Sequence, residues 1–317
     1  MNFHPSLALK DGCPLHAALR DLLRANPHCP AVSIPLDQVA CLRLDDPGSC
    51  ERVHLEGYNP GVVSPQEWGK VMQIVRAHGA HLNLAYVPGW VDDGDVNKGS
   101  LHYQGQAVRH RPGGKSYHAW EVSYAKAGVP ESHNYVAEYG ALQHGVDEGR
   151  ITILSHGLTH LTPDVQAWLR SQNKYTKKEW YREFRAMVTP ALQTPSMVRG
   201  RMRQSVTWIQ AAFGLTPRIL VPSAHEQTPE TVGFARDAGF KIFSSRTTFF
   251  LYRNTILANR KLGAVSPEGM ADCIALLQAG YPIIFAFHDY DIFRNGSIWL
   301  QNLISSLEDL GVRRFIS

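Results

Sequence analysis

The chain has 317 residues, of which 44% are hydrophobic and 19% charged, and a net charge of +4; these values suit a soluble globular protein with one large α/β domain or two small ones. Lys and Arg are scattered, without a basic run or an RNA-binding motif, which argues against a nucleic-acid partner. No apolar run reaches membrane-spanning length, and Met1 to Lys10 lack the pattern of a secretory signal, so no membrane span and a cytoplasmic location are expected.

In chain order, the first predicted strand is Ala40–Leu44, ending in Asp45-Asp46-Pro47-Gly48. Ser64-Pro65-Gln66-Glu67 then reads as a capping box with Pro at the first helical position, ahead of the apolar-periodic Val71, Ile74 and Val75. Gly79 marks the end of that helix, and His81–Val87 is the second strand. From about Trp90 to His133 the chain is polar and rich in Gly, aromatics and His, with a hairpin predicted around Arg111-Pro112-Gly113-Gly114 between His110 and Tyr117 or Trp120. So long an insertion after a strand is expected to be a lid or binding loop.

Ile151–Leu154 is the third strand, followed by a helix opening at Thr162-Pro163; Arg218–Val221 is the fourth. Further helices open at Thr228-Pro229 and Ser266-Pro267 and stop near Gly239, Gly280 and Gly311. Phe240–Ser244, Ile283–Phe287 and Val312–Ile316 complete seven strands, with Leu262–Val265 a candidate eighth. Strands alternating with helices imply a parallel sheet, because each parallel pair needs a crossover. A single (β/α) barrel over 1–317 is the first choice and an open doubly wound sheet the second. No GxGxxG or GxxxxGK[ST] loop follows a strand, which weakens a nucleotide-binding reading.

Ionisable residues gather at the carboxyl ends of these strands, the face where barrel enzymes place their chemistry. Asp45 and Asp46 follow the first, His156 and His160 the third, His225 and Glu226 the fourth, Arg246 the fifth, and His288, Asp289 and Asp291 the strand at 283–287. His156 and His160 are four apart, so one helical turn would offer both imidazoles to one metal ion. Two His and one Asp leave coordination positions open, as a catalytic site requires. Of two adjacent aspartates, one can bind metal while the other accepts a proton from water. Five cysteines without a CxxC pair read as reduced and structural.

Leu44-Asp45-Asp46, His156 to His160, and Phe285-Ala286-Phe287-His288 together resemble, in order and spacing, three motifs of the NodB-type polysaccharide deacetylases, carbohydrate esterase family 4. The resemblance implies a NodB-like barrel with Asp45 as general base and His288 as general acid. It implies Asp46, His156 and His160 as ligands of a divalent ion, zinc or another. The implied reaction removes an acetyl or formyl group from an amino sugar or glycan precursor with metal-activated water. Hydrolysis of a non-sugar amide is the alternative within enzymes. An inactive, metal-bearing carbohydrate-binding module is the alternative outside them, although it would need neither Asp45 nor His288.

Two departures stand out. The family's third motif carries an Arg that orients the catalytic aspartate, whereas Leu220-Val221-Pro222-Ser223-Ala224-His225 has none. Arg43, Arg246 and His225 are the candidates to replace it, and His225, Arg246 and Trp90 are expected at the substrate. The fourth motif is not recognisable around Ser244-Ser245-Arg246. A site departing from the family's, without an export signal, suggests a small or biosynthetic substrate met inside the cell rather than an open polymer.

Overall fold

The strand β1 (Val39–Asp45) shows how the sequence sorts the two faces of the sheet. In a computed structural model, Leu42 and Leu44 are buried in the main core while Arg43 and Asp45 point the other way, as the two-residue period of a strand requires. The structure describes residues 38–54, 61–111, 116–126, 129–162, 182–184, 194–225, 228–245, 249–251, 264–265, 270–278 and 282–317.

After β1 come a short helix α1 (Glu51–His54), helix α2 (Pro65–Ala77) and strand β2 (Leu82–Tyr86). The insertion contributes β3 (Gly89–Val91), β4 (Gly99–Tyr103), β5 (Gln106–Ala107), β6 (Ser116–His118), β7 (Val122–Lys126) and β8 (Val129–Asn134). Helix α3 (Tyr135–Asp147) and β9 (Ile151–Ser155) return the chain to the sheet. They are followed by α4 (Pro195–Phe213), β10 (Ile219–Leu220), α5 (Pro229–Asp237), β11 (Ile242–Ser244), β12 (Phe249–Leu251) and β13 (Ala264–Val265). The chain ends with α6 (Met270–Gln278), β14 (Ile283–His288), α7 (Asp289–Asn295), α8 (Ser297–Asp309) and β15 (Arg314–Phe315).

The nine-stranded sheet runs β12-β11-β10-β9-β2-β1-β14-β13, with β15 on the first residues of β1. Its pairings are parallel except β11 with β12. The closed barrel expected from the sequence is not seen among the described residues. There the curved sheet ends at β12, which turns back antiparallel on β11, and at β13. Of the candidate strand at 262–265, the described residues Ala264–Val265 form β13 beside β14.

One face of the sheet packs against α2, α3 and α8 through Leu42, Leu44, Trp68, Val71, Leu84, Phe285, Phe287, Leu303 and Leu307. Helix starts obey the local chemistry, with one variation. Ser64 caps α2 by accepting from the Glu67 amide at 3.2 Å. Glu67, however, does not complete a capping box; its carboxylate accepts from the Ser297 amide at the start of α8 and from Lys70. Ser297 N is among the amides left without intrahelical partners at a helix start, so Glu67 ties two helices together instead of closing its own. Thr228 and Thr231 do form a reciprocal box at α5. The helix openings expected at Thr162-Pro163 and Ser266-Pro267, and the stop at Gly280, fall outside the described residues.

The insertion is a folded unit with its own core, not an extended loop. β5-β4-β7-β8 form one antiparallel sheet and β3-β6 a small second one. The proposed hairpin is corrected in its pairing: Tyr117 lies opposite Trp90 across β3 and β6, not opposite His110. The His110 ring instead bridges Asp92 Oδ1 (2.9 Å) and the Gly99 carbonyl (3.0 Å). The turn itself, residues 112–115, is outside the described residues.

His133 on β8 lies buried beside Tyr124 and Tyr135. Burial, assisted by the nearby Arg52 charge, pushes its pKa from 6.5 down to about 3. Above pH 6.5 neither the folded nor the unfolded chain binds this proton. Below it only the unfolded chain does, so His133 lowers stability as pH falls from 6.5 towards 3. Between pH 7 and 5 the loss is about 2 kcal/mol for this one group. His133→Gln should therefore show a smaller fall in Tm between pH 7 and 5 than the parent protein; equal falls would contradict this account.

Candidate active site

β1 and β14 lie side by side, and their register sets Asp45 opposite His288. Parallel neighbours in register point the same way, so the carboxylate and the imidazole open onto the same face of the sheet. Arg43, two residues before Asp45, shares that face. Its Nε donates to Asp45 Oδ1 at 2.9 Å and its Nη2 to Oδ2 at 3.0 Å, a two-pronged pair with both residues about 1% exposed. Nη1 also donates to Ser244 Oγ at 3.3 Å, at the end of β11. Of the three candidates for the missing Arg, Arg43 is thus the one that grips Asp45. His225 Nε2 stands farther off, 3.9 Å from Asp45 Oδ2, and Arg246 is outside the described residues.

Asp46, the next residue, leaves the strand with φ of 82°. His160 (φ 59°) and His225 (φ 57°) are likewise in the left-handed region. Non-glycine residues pay about 1–3 kcal/mol for such backbone, and here three of them stand around one point. Asp46 Oδ1 lies 3.2 Å from His156 Nε2 and 3.6 Å from His160 Nε2. The three donor atoms are all within 4.8 Å of one another, and all three residues are buried.

The other ring nitrogens are tied down. His156 Nδ1 is 2.8 Å from the Val221 carbonyl, which can only accept, so Nδ1 carries the hydrogen. His160 Nδ1 is 2.7 Å from Glu51 Oε2 in α1. Both histidines therefore turn their Nε2 atoms towards Asp46. One carboxylate oxygen and two oriented imidazole nitrogens form a donor set that suits a divalent transition ion such as zinc.

His156 and His160 do not share a helical turn, as their spacing suggested. Residues 156–160 form a non-helical bend, and a buried carboxylate that the sequence did not advertise holds it. Glu183 Oε2 accepts from the amides of Leu158 (2.9 Å), Thr159 (3.2 Å) and His160 (3.0 Å), while Arg201 Nε donates to Oε1 at 2.8 Å. Gly157 belongs to this contact. With φ of 94°, a β-carbon there would meet Glu183 Oε2 at 2.2 Å and Ser223 Oγ at 2.6 Å, so only glycine lets the carboxylate approach.

Charge distribution follows from these contacts. Burial acts to raise Asp45, but Arg43 and the nearby histidines outweigh it and hold the carboxyl below the usual range. Asp46 is held well below its usual range in the same way, against burial, by the His156 hydrogen bond and the surrounding imidazoles. His225 is pushed down to about 3 by burial and Arg43. Burial would lower His160 too, yet Glu51 and Asp46 carry it up to about 9.

His288 is about a third exposed and stacks on Tyr290, with ring centroids 4.7 Å apart and planes 11° from parallel. Next to it Asp289 forms a fully buried ion pair with Arg52, whose Nη2 also donates to the Asp46 carbonyl at 2.7 Å. Breaking one side of such a buried pair costs about 3–5 kcal/mol, so Arg52 pins the loops after β1 and β14 together.

Trp90 is a correction. The ring expected at the substrate is fully buried in the insertion core, 5.0 Å from His54 and 5.6 Å from Tyr124 between centroids.

Among solved structures, a putative polysaccharide deacetylase from Mycobacterium smegmatis superposes with a TM-score of 0.51 at 10% identity, over 90% of this chain and 89% of its own. The fold is that of a NodB-type polysaccharide deacetylase. Also similar are a family 4 carbohydrate esterase from Streptomyces lividans (TM-score 0.43, 10% identity, 86% of this chain and 88% of that one) and a wild-type CE4 family pseudoenzyme from Bacillus anthracis (0.45, 11%, 89% of this chain). The chain spans 64% of the length of the pseudoenzyme. The sequence matches no protein-family model and no curated protein. At these identities the likeness to deacetylases concerns the fold alone, and the reading of function rests on the site.

Proposed function

We propose that the protein is a metal-dependent hydrolase that removes an N-acyl group, acetyl or formyl, from an amino sugar or glycan precursor. The observation that carries this reading is the convergence of Asp45, Asp46, His156, His160 and His288 at the carboxyl edge of β1, β9 and β14.

In this reading Asp46, His156 and His160 hold the divalent ion, which when bound supplies Lewis-acid polarisation of the acyl carbonyl and acidifies water. Asp45, the general base, takes the proton of the attacking water. Arg43 keeps that carboxylate ionised and aimed, leaving it only a weak base until substrate and water approach. His288, the more exposed of the pair and oriented by Tyr290, gives a proton to the departing nitrogen. His225 borders the same space and contacts the substrate.

The site favours a small or terminal acyl group. Asp45, Asp46, His156 and His160 are each under 5% exposed, whereas His225 and His288 reach 23% and 32%. The insertion, residues 90–133, serves as a lid whose core includes Cys50, Val53 and Leu161 beside the metal loops. No helix among the described residues is long and apolar enough to cross a membrane.

The test is amine release by zinc-loaded protein from N-acetyl and N-formyl amino sugars, free or attached to a nucleotide, against chitin oligomers and peptidoglycan at matched acyl concentration. Release from the small sugars should be faster. Faster turnover of the polymers would overturn the substrate class, and release only from non-sugar amides would move the reaction to that class.

A further inference from the structure

We propose that Glu51 is a positioning residue for the metal centre, fixing His160 as an Nε2 ligand; this rests on the metal-site reading above. The two histidines solve one problem by different means. An imidazole can offer either nitrogen, and it is a better ligand when the other nitrogen donates to a fixed acceptor. For His156 that acceptor is the Val221 carbonyl, part of the sheet edge. For His160 the group in that place is the Glu51 carboxylate, whose Oε2 lies 2.7 Å from Nδ1, with both side chains 5% exposed.

A side-chain acceptor needs its own support, and α1 provides it. Ser49 Oγ accepts from the Glu51 amide at 3.3 Å. The next residue, Arg52, is locked to Asp289 and to the Asp46 carbonyl. His54, at the end of the same helix, sits 3.1 Å from Asp93 Oδ2 by Nδ1 and 2.8 Å from the Val91 carbonyl by Nε2. Every polar side chain of this four-residue helix is buried. The helix is thereby bound to the metal strand, the His288 loop and the insertion at once. Glu51 lies on the Nδ1 side of His160, whereas Asp46 faces Nε2 at 3.6 Å, so Glu51 belongs behind the ligand and not among the ligands. A carboxylate in that place also makes the imidazole a stronger donor than a neutral acceptor would.

The experiment is zinc affinity, measured by competition with a chromophoric chelator, for the full-length parent and for Glu51→Gln, Glu51→Asp and Glu51→Ala, each checked for native circular dichroism. Glu51→Ala and Glu51→Gln should bind zinc about 10- to 100-fold more weakly, with Glu51→Asp recovering part of the loss. Folded variants that bind as tightly as the parent would overturn the proposal. Nitrogen-15 imidazole spectra of the zinc-loaded parent give a second readout that no substitution can confound. His160 should carry its hydrogen on Nδ1, and a hydrogen on Nε2 would overturn the assignment. A parent protein that binds no zinc would instead sink the metal-site reading itself. Tight zinc binding without amine release would count against the hydrolase reading and leave Glu51 in its place.

Discussion

Replacing His156 or His160 by alanine should remove bound metal and activity together. Each ring supplies one of three donor atoms, and Asp46 with a single imidazole is a poor chelate for a divalent ion. The loss of affinity should therefore exceed about 100-fold, the upper range for outer partners of metal ligands. The two variants should differ in stability. His156→Ala removes a partner from the Val221 carbonyl and one of the two imidazoles facing Asp46, which keeps the other, whereas His160→Ala takes the imidazole from the buried Glu51 carboxylate. A buried charge deprived of its partner costs about 3–5 kcal/mol, so His160→Ala should melt at the lower temperature without metal. Metal content unchanged in both variants would refute the assignment.

Asp45→Asn should give the opposite combination, metal kept and turnover lost. Asp45 is not among the three clustered donors, and the substitution preserves shape while removing the base. A fall in turnover of at least about 100-fold is expected, the lower range for loss of a general base. Arg43 would keep an acceptor for one prong only, because an amide has a single acceptor oxygen, and its buried charge would lose the carboxylate that balances it, so Tm should fall clearly as well. Near-normal turnover would remove Asp45 from the reaction. Loss of metal would show that the aspartate pair divides its work the other way.

How much of this was legible depends on how locally each feature is encoded. The strands of the parallel sheet were readable because apolar runs such as Ile283–Phe287 lie between helix stops and polar strand ends. That the aspartate pair and the histidines would gather was readable because residue types able to bind metal are few and these stand at strand ends that converge. Arg43 could have been chosen over Arg246 and His225 by one further step, since residues two apart in a strand share a face. The helical turn between His156 and His160 was wrong because a remote carboxylate, Glu183, holds the bend by its amides, and nothing nearby in sequence announces that. Glu51 was missed for a related reason: one acid after a turn reads as solvated surface. Trp90 was misplaced because Gly and polar residues around it suggested an open loop, whereas the insertion folds around its aromatics as a core. Barrel closure was not legible at all, since strand count does not fix whether the last strands meet.

The most direct measurement is amine release from an N-acetylated amino sugar as zinc is added stepwise to metal-stripped protein, with Asp45→Asn titrated alongside. The account predicts that activity rises from baseline and levels off at one equivalent per chain in the parent, while Asp45→Asn takes up the same equivalent and stays near baseline. Amine release that is already full in stripped protein, or a zinc equivalent bound with no release by the parent on any N-acyl sugar, would contradict it.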